Sequence, residues 1–316
     1  GYERDEGKVF MDKLKKSTIR DYRNSMNNFI LPKFGNMPVD QIDCSAIETF
    51  ISELGCSNKR AKNLLVPMRH VFKRALRDKY IKQNPLSLLE PMKPEKADIK
   101  PFSFEEVQAI IEKVDPHYRN FLIVAFFTGM RFGEMSALKW KNVDFVLKVI
   151  KVRETLVDGE EGTPKTNGSI RDVDMMPPVI EALRDQRKAT LGKSDYVFLN
   201  HYGRTLKPCP LRKHAWKDAL KSAEIEYRPI MQTRHTYACL MLNAGVLPGY
   251  VMKQMGHSSL KMIYDHYYTY IKGYERDEGK VFMDKVYNPK TKRDEKSTPF
   301  LPHDEKGEID YVSNPL

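Results

Sequence analysis

The sequence predicts an α+β protein, mostly helical, with one small antiparallel sheet. Three observations lead there. Apolar residues recur at helical spacing from Lys15 to about Leu89 and again from Ser103 onward. A proline-punctuated stretch, PLSLLEPMKPEKADIKPF, separates the two sets. Within the second set, VLKVIKVRETLV, a turn over Asp158 to Gly162 and a returning SIRDVDMM read as paired strands. A chain of 316 residues is long enough for two domains with cores of their own.

Taken in order, residues 1–13, GYERDEGKVFMDK, recur unchanged at 273–285. An identical copy at each end is no solenoid period, and the first is set apart from the fold as an artefact or a recent duplication. Residues 14–90 should form a helical domain. STIRDYRNSMNNFILPKFG places Ile19, Tyr22, Met26, Phe29 and Ile30 on one helix face, with Pro32 and Gly35 expected to close it. Ser45 and Glu48 form a capping-box pattern ahead of IETFISELG, and a longer helix, SNKRAKNLLVPMRHVFKRALRDKY, follows. Residues 91–102 read as a linker. Ser103 and Glu106 open the next helix, NFLIVAFF reads as buried core, and Gly129 in TGMRFGE breaks and restarts the helix where Arg131 turns outward. Pro177 and Pro178 open VIEALRDQRKA, DYVFLN reads as a short strand, and PLRKHAWKDALKSAEI as a basic amphipathic helix. Residues 273–316 are polar and proline-rich, with disorder the plain expectation.

A net charge of +11 points to a polyanionic partner. Residues 14–100 hold 17 Lys and Arg against 9 Asp and Glu, net +8, while residues 273–316 hold 8 against 10, net −2. No apolar run approaches a membrane span and no export signal is visible. The four cysteines, Cys44, Cys56, Cys209 and Cys239, have neither CxxC nor metal-ligand spacing, and read as reduced thiols. The cations Lys59, Arg60, Lys62, Arg69, Lys73 and Arg74 make an almost purely positive helix face; one reading is a solvated face, the other a surface for the DNA backbone.

The stretch from Arg228 to Ile271 concentrates the chemistry: Arg234 in TRHTY, His257 in QMGHSS, and Tyr264, Tyr267, Tyr268 and Tyr270. An arginine fork suits phosphate oxygens, histidine can donate a hydrogen bond, and a phenol can become a covalent nucleophile. Together with TGMRFGEMSALKW and TPKTNGSIRDVDM upstream, these boxes, in this order and at these separations, resemble the tyrosine recombinases of the phage-integrase type. The resemblance covers roughly residues 15–272.

It implies a helical, SAM-like core-binding domain over 14–90, a catalytic domain over 103–272 and a tail that docks on a neighbouring protomer through Val281, Phe282, Met283, Val286 and Tyr287. Arg131 and Arg234 would compensate the phosphate charge and His257 would bond the same phosphate, or else cap the next helix. Lys165, near the hairpin tip, would protonate the leaving 5′ oxygen, with Lys151 and Arg153 as weaker candidates. Glu134 would orient Arg131, and His235 would be a structural hydrogen-bonding neighbour of Arg234. The family places its nucleophile nine or ten residues after the histidine; His266 holds the ninth position, so Tyr267 is the choice and Tyr264 the next. Met231 departs from the pattern, because histidine is usual three residues before the second arginine and a thioether cannot take its part.

The reaction implied is site-specific cutting and rejoining of DNA through a 3′-phosphotyrosyl bond, as in integration or excision of a prophage or integrative element. It needs no ATP, metal or other cofactor. The expected partners are double-stranded DNA carrying attachment-type sites, three further copies in a homo-tetramer, and DNA-bending accessory proteins, in the cytoplasm at the nucleoid. The rival readings are a type IB topoisomerase-like enzyme and a DNA-binding regulator with impaired catalysis.

Overall fold

The computed structural model describes residues 14–93, 99–157, 159–162, 167–271 and 283. Lys165 and the tail residues Val281, Phe282, Val286 and Tyr287 therefore lie outside the described residues.

The first unit is helical. α1 (Lys16–Ser25) passes through a π turn (Met26–Ile30) into α2 (Leu31–Phe34). Pro32 does not end the helix as the sequence suggested. The wide turn, in which the Leu31 N–H donates to the Met26 carbonyl, makes room for the pyrrolidine ring, and the chain stops only at Gly35. α3 (Cys44–Glu53) is capped by Asp43, whose Oδ1 accepts the Ala46 N–H at 2.7 Å, so the expected cap at Ser45 falls inside the first turn. The long basic helix is two helices, α4 (Asn58–Leu64) and α5 (Val66–Arg77), which part at Leu65 because Pro67 can enter a helix only in its first turn. Ile30, Phe34, Ile47, Phe50, Leu65, Met68 and Phe72 form the core of this unit.

The second unit begins earlier than its first helix. The Phe102 N–H donates to Thr236 Oγ1 at 2.9 Å and the Lys100 N–H to Gln232 Oε1 at 3.2 Å, fastening the end of the expected linker far along the chain. α6 (Phe104–Lys113) carries the expected capping box between Ser103 and Glu106. α7 (Pro116–Thr128) buries Phe121, Leu122, Val124, Ala125 and Phe126, and lies against α9 (Pro177–Thr190) and α12 (Gln232–Asn243). α8 (Phe132–Ser136) starts three residues after Gly129, with Arg131 at its N-cap.

The strand region differs from a single hairpin. β1 (Val143–Asp144), β2 (Val149–Val152) and β5 (Arg171–Asp174) make one antiparallel sheet in the order β1-β2-β5, with Ile150 opposite Val173. β3 (Thr155–Val157) and β4 (Glu160–Gly162) pair separately. Val146 and Leu147, apolar enough to suggest a strand, instead form an exposed turn, because Asp144 Oδ1 accepts both their N–H groups. DYVFLN forms only isolated bridges, Lys139 to Tyr196 and Leu199 to Thr205, since the Asn200 N–H bonds the Arg204 carbonyl and turns the chain back.

Beyond these come α10 (Pro208–Leu211), a π turn (Arg212–Trp216), α11 (Lys217–Ser222), α13 (Pro248–Met255) and α14 (Leu260–Tyr267). Two apolar clusters organise the unit. One joins α6, α7, α9 and the sheet to Trp216; the other joins α12, α13 and α14 through Tyr237, Leu242, Val251, Met255, Ile263 and Tyr267. Arg228 ties α6 to the approach to α12, clamping Glu106 through Nη1 at 2.9 Å and Nη2 at 2.6 Å while lying over the Phe102 ring. Among the described residues no helix is long and apolar enough to cross a membrane.

Candidate active site

The site is built where the start of α8, the strand β5, the start of α12 and the end of α13 meet. Gly129 ends α7 in the left-handed region, φ 60°, and a Cβ there would lie 2.5 Å from the Tyr237 ring. Only glycine fits, and its carbonyl accepts a hydrogen bond from Arg234 Nη1. Two residues later Arg131 caps α8. Its backbone N–H donates to Glu134 Oε2 at 2.9 Å and its Nη1 to Oε1 at 2.8 Å, while the side chain stays 39% exposed.

Glu134 is buried, and a second guanidinium grips it from the opposite side. Arg171, on β5, donates from Nη1 to Oε1 at 3.2 Å and from Nη2 to Oε2 at 3.0 Å. Burial works to raise the Glu134 carboxyl, but the bonds and charges of Arg171 and Arg131 outweigh it and hold the acid below its ordinary value. Arg171 reaches further: Nε donates to the Gln254 carbonyl at 2.6 Å and Nη1 to the Ser169 carbonyl at 3.1 Å. The Gln254 side chain returns the contact, accepting the Asp174 N–H at 2.9 Å and donating to Asp174 Oδ2 at 2.9 Å.

The end of α13 is the hub. Gly256 is left-handed at φ 65°, and a Cβ there would lie 2.9 Å from Arg171 Nη1. Its carbonyl accepts from Arg131 Nη2 at 3.4 Å, and the Met255 carbonyl accepts from Arg234 Nη2 at 2.8 Å. Both arginines of the sequence boxes are thus pinned to the turn that presents His257. Arg234 is only 5% exposed. Its burial, with the neighbouring charges of Arg131 and Arg171, pushes it down to about 9.

Two guanidinium groups hold the Glu134 carboxylate and a third, Arg234, lies beside them on backbone carbonyls; with Asp174 as the other carboxylate of the network, the described site still carries a surplus of positive charge. His257 lies against it with its Nδ1 buried and without a hydrogen-bond partner among the described residues. Burial and the charges of Arg234 and Arg131 push His257 down to about 3, so it is neutral at pH 7. Tyr267 is 1% exposed and its ring belongs to the α12–α14 cluster. Its hydroxyl lies 2.8 Å from Nδ1 of His235, and burial pushes the phenol up to about 12. Tyr264 and Tyr268 stand exposed, and Tyr270 packs against the edge of the cluster. Met231 stands exposed just ahead of α12.

The structure thus brings Arg131, Glu134, Arg234, His235, His257 and Tyr267 into one neighbourhood. The two weaker candidates for the general acid are engaged elsewhere: Lys151 Nζ donates to Asp144 at 3.0 Å and Arg153 Nη2 to Asp172 at 2.6 Å. Sequence reading missed Arg171 and Gln254. The signal for Arg171 is its inward register: it lies on the core face of β5, opposite the buried Val152 of β2. A cation at a core position has to have a partner.

The cations of the helical unit are arranged differently. Lys59 and Arg60 are exposed on α4, Arg60 lying over the Phe29 ring, and Arg69 and Lys73 are exposed on α5. Lys62 donates to the Met92 carbonyl and Arg74 Nε to Asp78 at 3.2 Å, so these two are partly spent on the fold.

The chain is similar to known proteins over both units. The phage integrase family matches residues 100–272, and the phage integrase N-terminal SAM-like domain matches residues 9–55. The prophage integrase IntR of Escherichia coli is 30% identical over 254 residues, 71% of this chain and 62% of that protein. The XerC-like tyrosine recombinase of Caldanaerobacter subterraneus is 30% identical over 284 residues, 78% of this chain and 72% of that one. This chain therefore spans about three fifths of the length of IntR. Among solved structures, the Tn1549 transposon integrase in complex with a circular intermediate DNA shares the fold with a TM-score of 0.69 at 22% identity, over 87% of this chain and 95% of that one. A lambda integrase tetramer bound to a Holliday junction has a TM-score of 0.63 at 16% identity, over 81% and 76% of the two chains. With a family match over more than half its length, this chain belongs to the phage integrase family.

Proposed function

We propose that this chain is a site-specific tyrosine recombinase that cuts and rejoins DNA for a mobile element. The observation that carries the reading is the partly exposed Arg131 fixed beside the buried Arg234, both bonded to the turn before His257, with the Tyr267 hydroxyl against the residue next to Arg234. A cluster with surplus positive charge is built to receive an anion, and a tyrosine beside it supplies a nucleophile that needs no metal to attack phosphorus.

In this reading Arg131 and Arg234 hold the two non-bridging oxygens of a phosphodiester, where guanidinium donors gain most as charge builds in the transition state. The unpartnered Nδ1 of His257 bonds the same group. Tyr267 Oη attacks phosphorus, the bond to the 5′ oxygen breaks, and Lys165, assigned from the sequence, supplies the proton that oxygen needs. Glu134 and Arg171 act through Arg131 and touch no substrate. The exposed cations of α4 and α5 track the DNA backbone, so that the duplex lies between the two units. The tetramer of lambda integrase on a Holliday junction supports a working homo-tetramer on two duplexes; docking of the tail between protomers is assigned from the sequence alone.

The test is a trapping assay without metal. Nicked duplexes carrying the junction sequence of the element release a short fragment after cleavage and strand the protein on DNA. Wild type should form an SDS-resistant adduct that Tyr267→Phe loses and Tyr264→Phe keeps. Loss only in Tyr264→Phe would move the nucleophile. No adduct on a site that the protein binds would sink the reading.

A further inference from the structure

His235, the hydrogen-bonding neighbour of Arg234 in the sequence, makes its hydrogen bond to Tyr267. It follows Arg234 on α12, and its ring faces α14, with Nδ1 2.8 Å from Tyr267 Oη and the ring centroids 5.8 Å apart. The Tyr267 hydroxyl has no other hydrogen-bond partner among the described residues. If the imidazole proton sat on Nδ1, the buried O–H would have nothing to donate to. With the proton on Nε2, the O–H donates to the Nδ1 lone pair and both groups are satisfied.

From this geometry we infer that His235 is the general base for the nucleophile: its Nδ1 takes the Tyr267 proton as Oη bonds to phosphorus. The inference rests on the proposed function above. In the forward step the Oη–P bond forms, the P–O5′ bond breaks, the phenolic proton moves to Nδ1, and the departing O5′ takes a proton from the general acid. In rejoining, the O5′–P bond forms, the Oη–P bond breaks, and the imidazolium returns its proton to Oη. One proton shuttles between two atoms already in hydrogen-bond contact, so neither direction waits on solvent.

The surroundings keep His235 available. The charged and titratable groups facing it are Arg234 on its own helix and His266 and Tyr267 on α14. Burial, Arg234 and His266 push the imidazole down to about 4, which leaves it unprotonated and able to accept at pH 7. A phosphodiester held by Arg131 and Arg234 brings negative charge that offsets the arginines, and the transition state brings more. The imidazole becomes a stronger base at the moment it is used. Met231 supplies no alternative, since a thioether cannot take a proton at neutral pH.

The experiment measures single-turnover adduct formation by the full chain on two nicked duplexes of the same sequence. One has the ordinary 5′ oxygen at the scissile phosphate; the other has a bridging sulfur there, a group that departs without a proton. Two variants are compared, His235→Ala, which removes the ring, and His235→Asn, whose amide oxygen keeps an acceptor near Nδ1 but takes no proton. We expect each to slow cleavage about 100-fold, the lower end of what a positioned base contributes, with DNA affinity unchanged and with protein that still melts cooperatively, His235→Ala at a lower temperature because the buried Tyr267 O–H loses its acceptor. The sulfur duplex should restore Lys165→Ala and leave both His235 variants slow. His235→Asn at the wild-type rate would reduce His235 to a positioning residue and overturn the inference. Faster cleavage by His235→Ala would overturn it too, because the bond would then be a latch that holds the tyrosine back. A wild type that forms no adduct on either duplex fails the recombinase reading itself, and that result is separate from either of these.

Discussion

The two units of this chain use positive charge in opposite ways. In the second unit Arg171 and Arg234 are buried, and with the partly exposed Arg131 they are fixed by carbonyls and a carboxylate on four separate segments. In the first unit Lys59, Arg69 and Lys73 stand in solvent on α4 and α5, without hydrogen-bonded or ionic partners among the described residues. Burying a guanidinium is costly unless every donor is used, so a buried cluster is worth keeping only where position matters to a fraction of an ångström. Bond making at phosphorus sets that demand, whereas attraction to a phosphate backbone acts over a Debye length and tolerates moving cations.

The comparison breaks most sharply at Arg171. Arg171→Met leaves the Glu134 carboxylate buried with one partner fewer, and removing half of a buried pair costs about 3–5 kcal/mol. Urea denaturation should show a loss of that size and trapping assays a loss of cleavage, while Arg69→Met should change stability by less than about 0.5 kcal/mol. Equal effects from the two substitutions would show that burial does not separate the two kinds of cation. Glu134→Gln sharpens the same point: the amide keeps the shape but not the charge that holds Arg131.

Arg171 also marks the limit of what the sequence discloses. The helical class, the capping box at Ser103, the break at Gly129 and the boxes around Arg131, Arg234 and His257 were legible because each is a local pattern with a local cause. Pro67 and Pro32 were misjudged for a related reason: a proline is tolerated in a first turn or after a widened one, and which case holds depends on where the neighbouring helix starts. Arg171 and Gln254 act across 37 and 80 residues of chain, to Glu134 and Asp174. No local pattern encodes a partner at that separation. The alternating burial of β5 was readable, but that the buried cation faced Glu134 was not.

A smaller effect is expected at Gly256. Alanine there must hold φ 65° and set its Cβ 2.9 Å from Arg171 Nη1, a strain of about 1–3 kcal/mol. Because that turn also receives Arg131 and Arg234, Gly256→Ala should lower cleavage more than stability, read as a slower single-turnover rate in protein that still melts cooperatively. Gly192→Ala, also at positive φ but with open space around its Cβ, is the control for backbone strain alone.

Acid should separate the units as well. His235 and His257 have folded values pushed below the ordinary 6.5, to about 4 and about 3, by burial and the arginine charges. Between those limits the unfolded chain binds protons that the folded chain refuses, so stability is full above about pH 6.5 and falls as pH drops toward 4. Glu134, held below its ordinary value of 4.5, keeps its full contribution in the upper part of that window and begins to lose it only as pH falls through about 4.5. Denaturation midpoints from pH 7 to pH 4 should fall for wild type and fall less for His257→Asn, and an unchanged slope in that variant would remove His257 as a source.

The smallest effects belong to the exposed cations. Lys59→Ala, Arg69→Ala or Lys73→Ala should each leave the fold intact and weaken DNA binding by a similar amount on any sequence. If each side chain meets one phosphate, the slope of log affinity against log salt falls by about 1 per substitution. Once the DNA is saturated with protein, the rate of adduct formation should match wild type, because these side chains attract the duplex and take no part at phosphorus. A substitution here that slowed cleavage at saturation would mean that the helical unit also sets the register of the scissile phosphate over Arg131. The division between held and free cations would then run through α4 and α5 instead of between the two units.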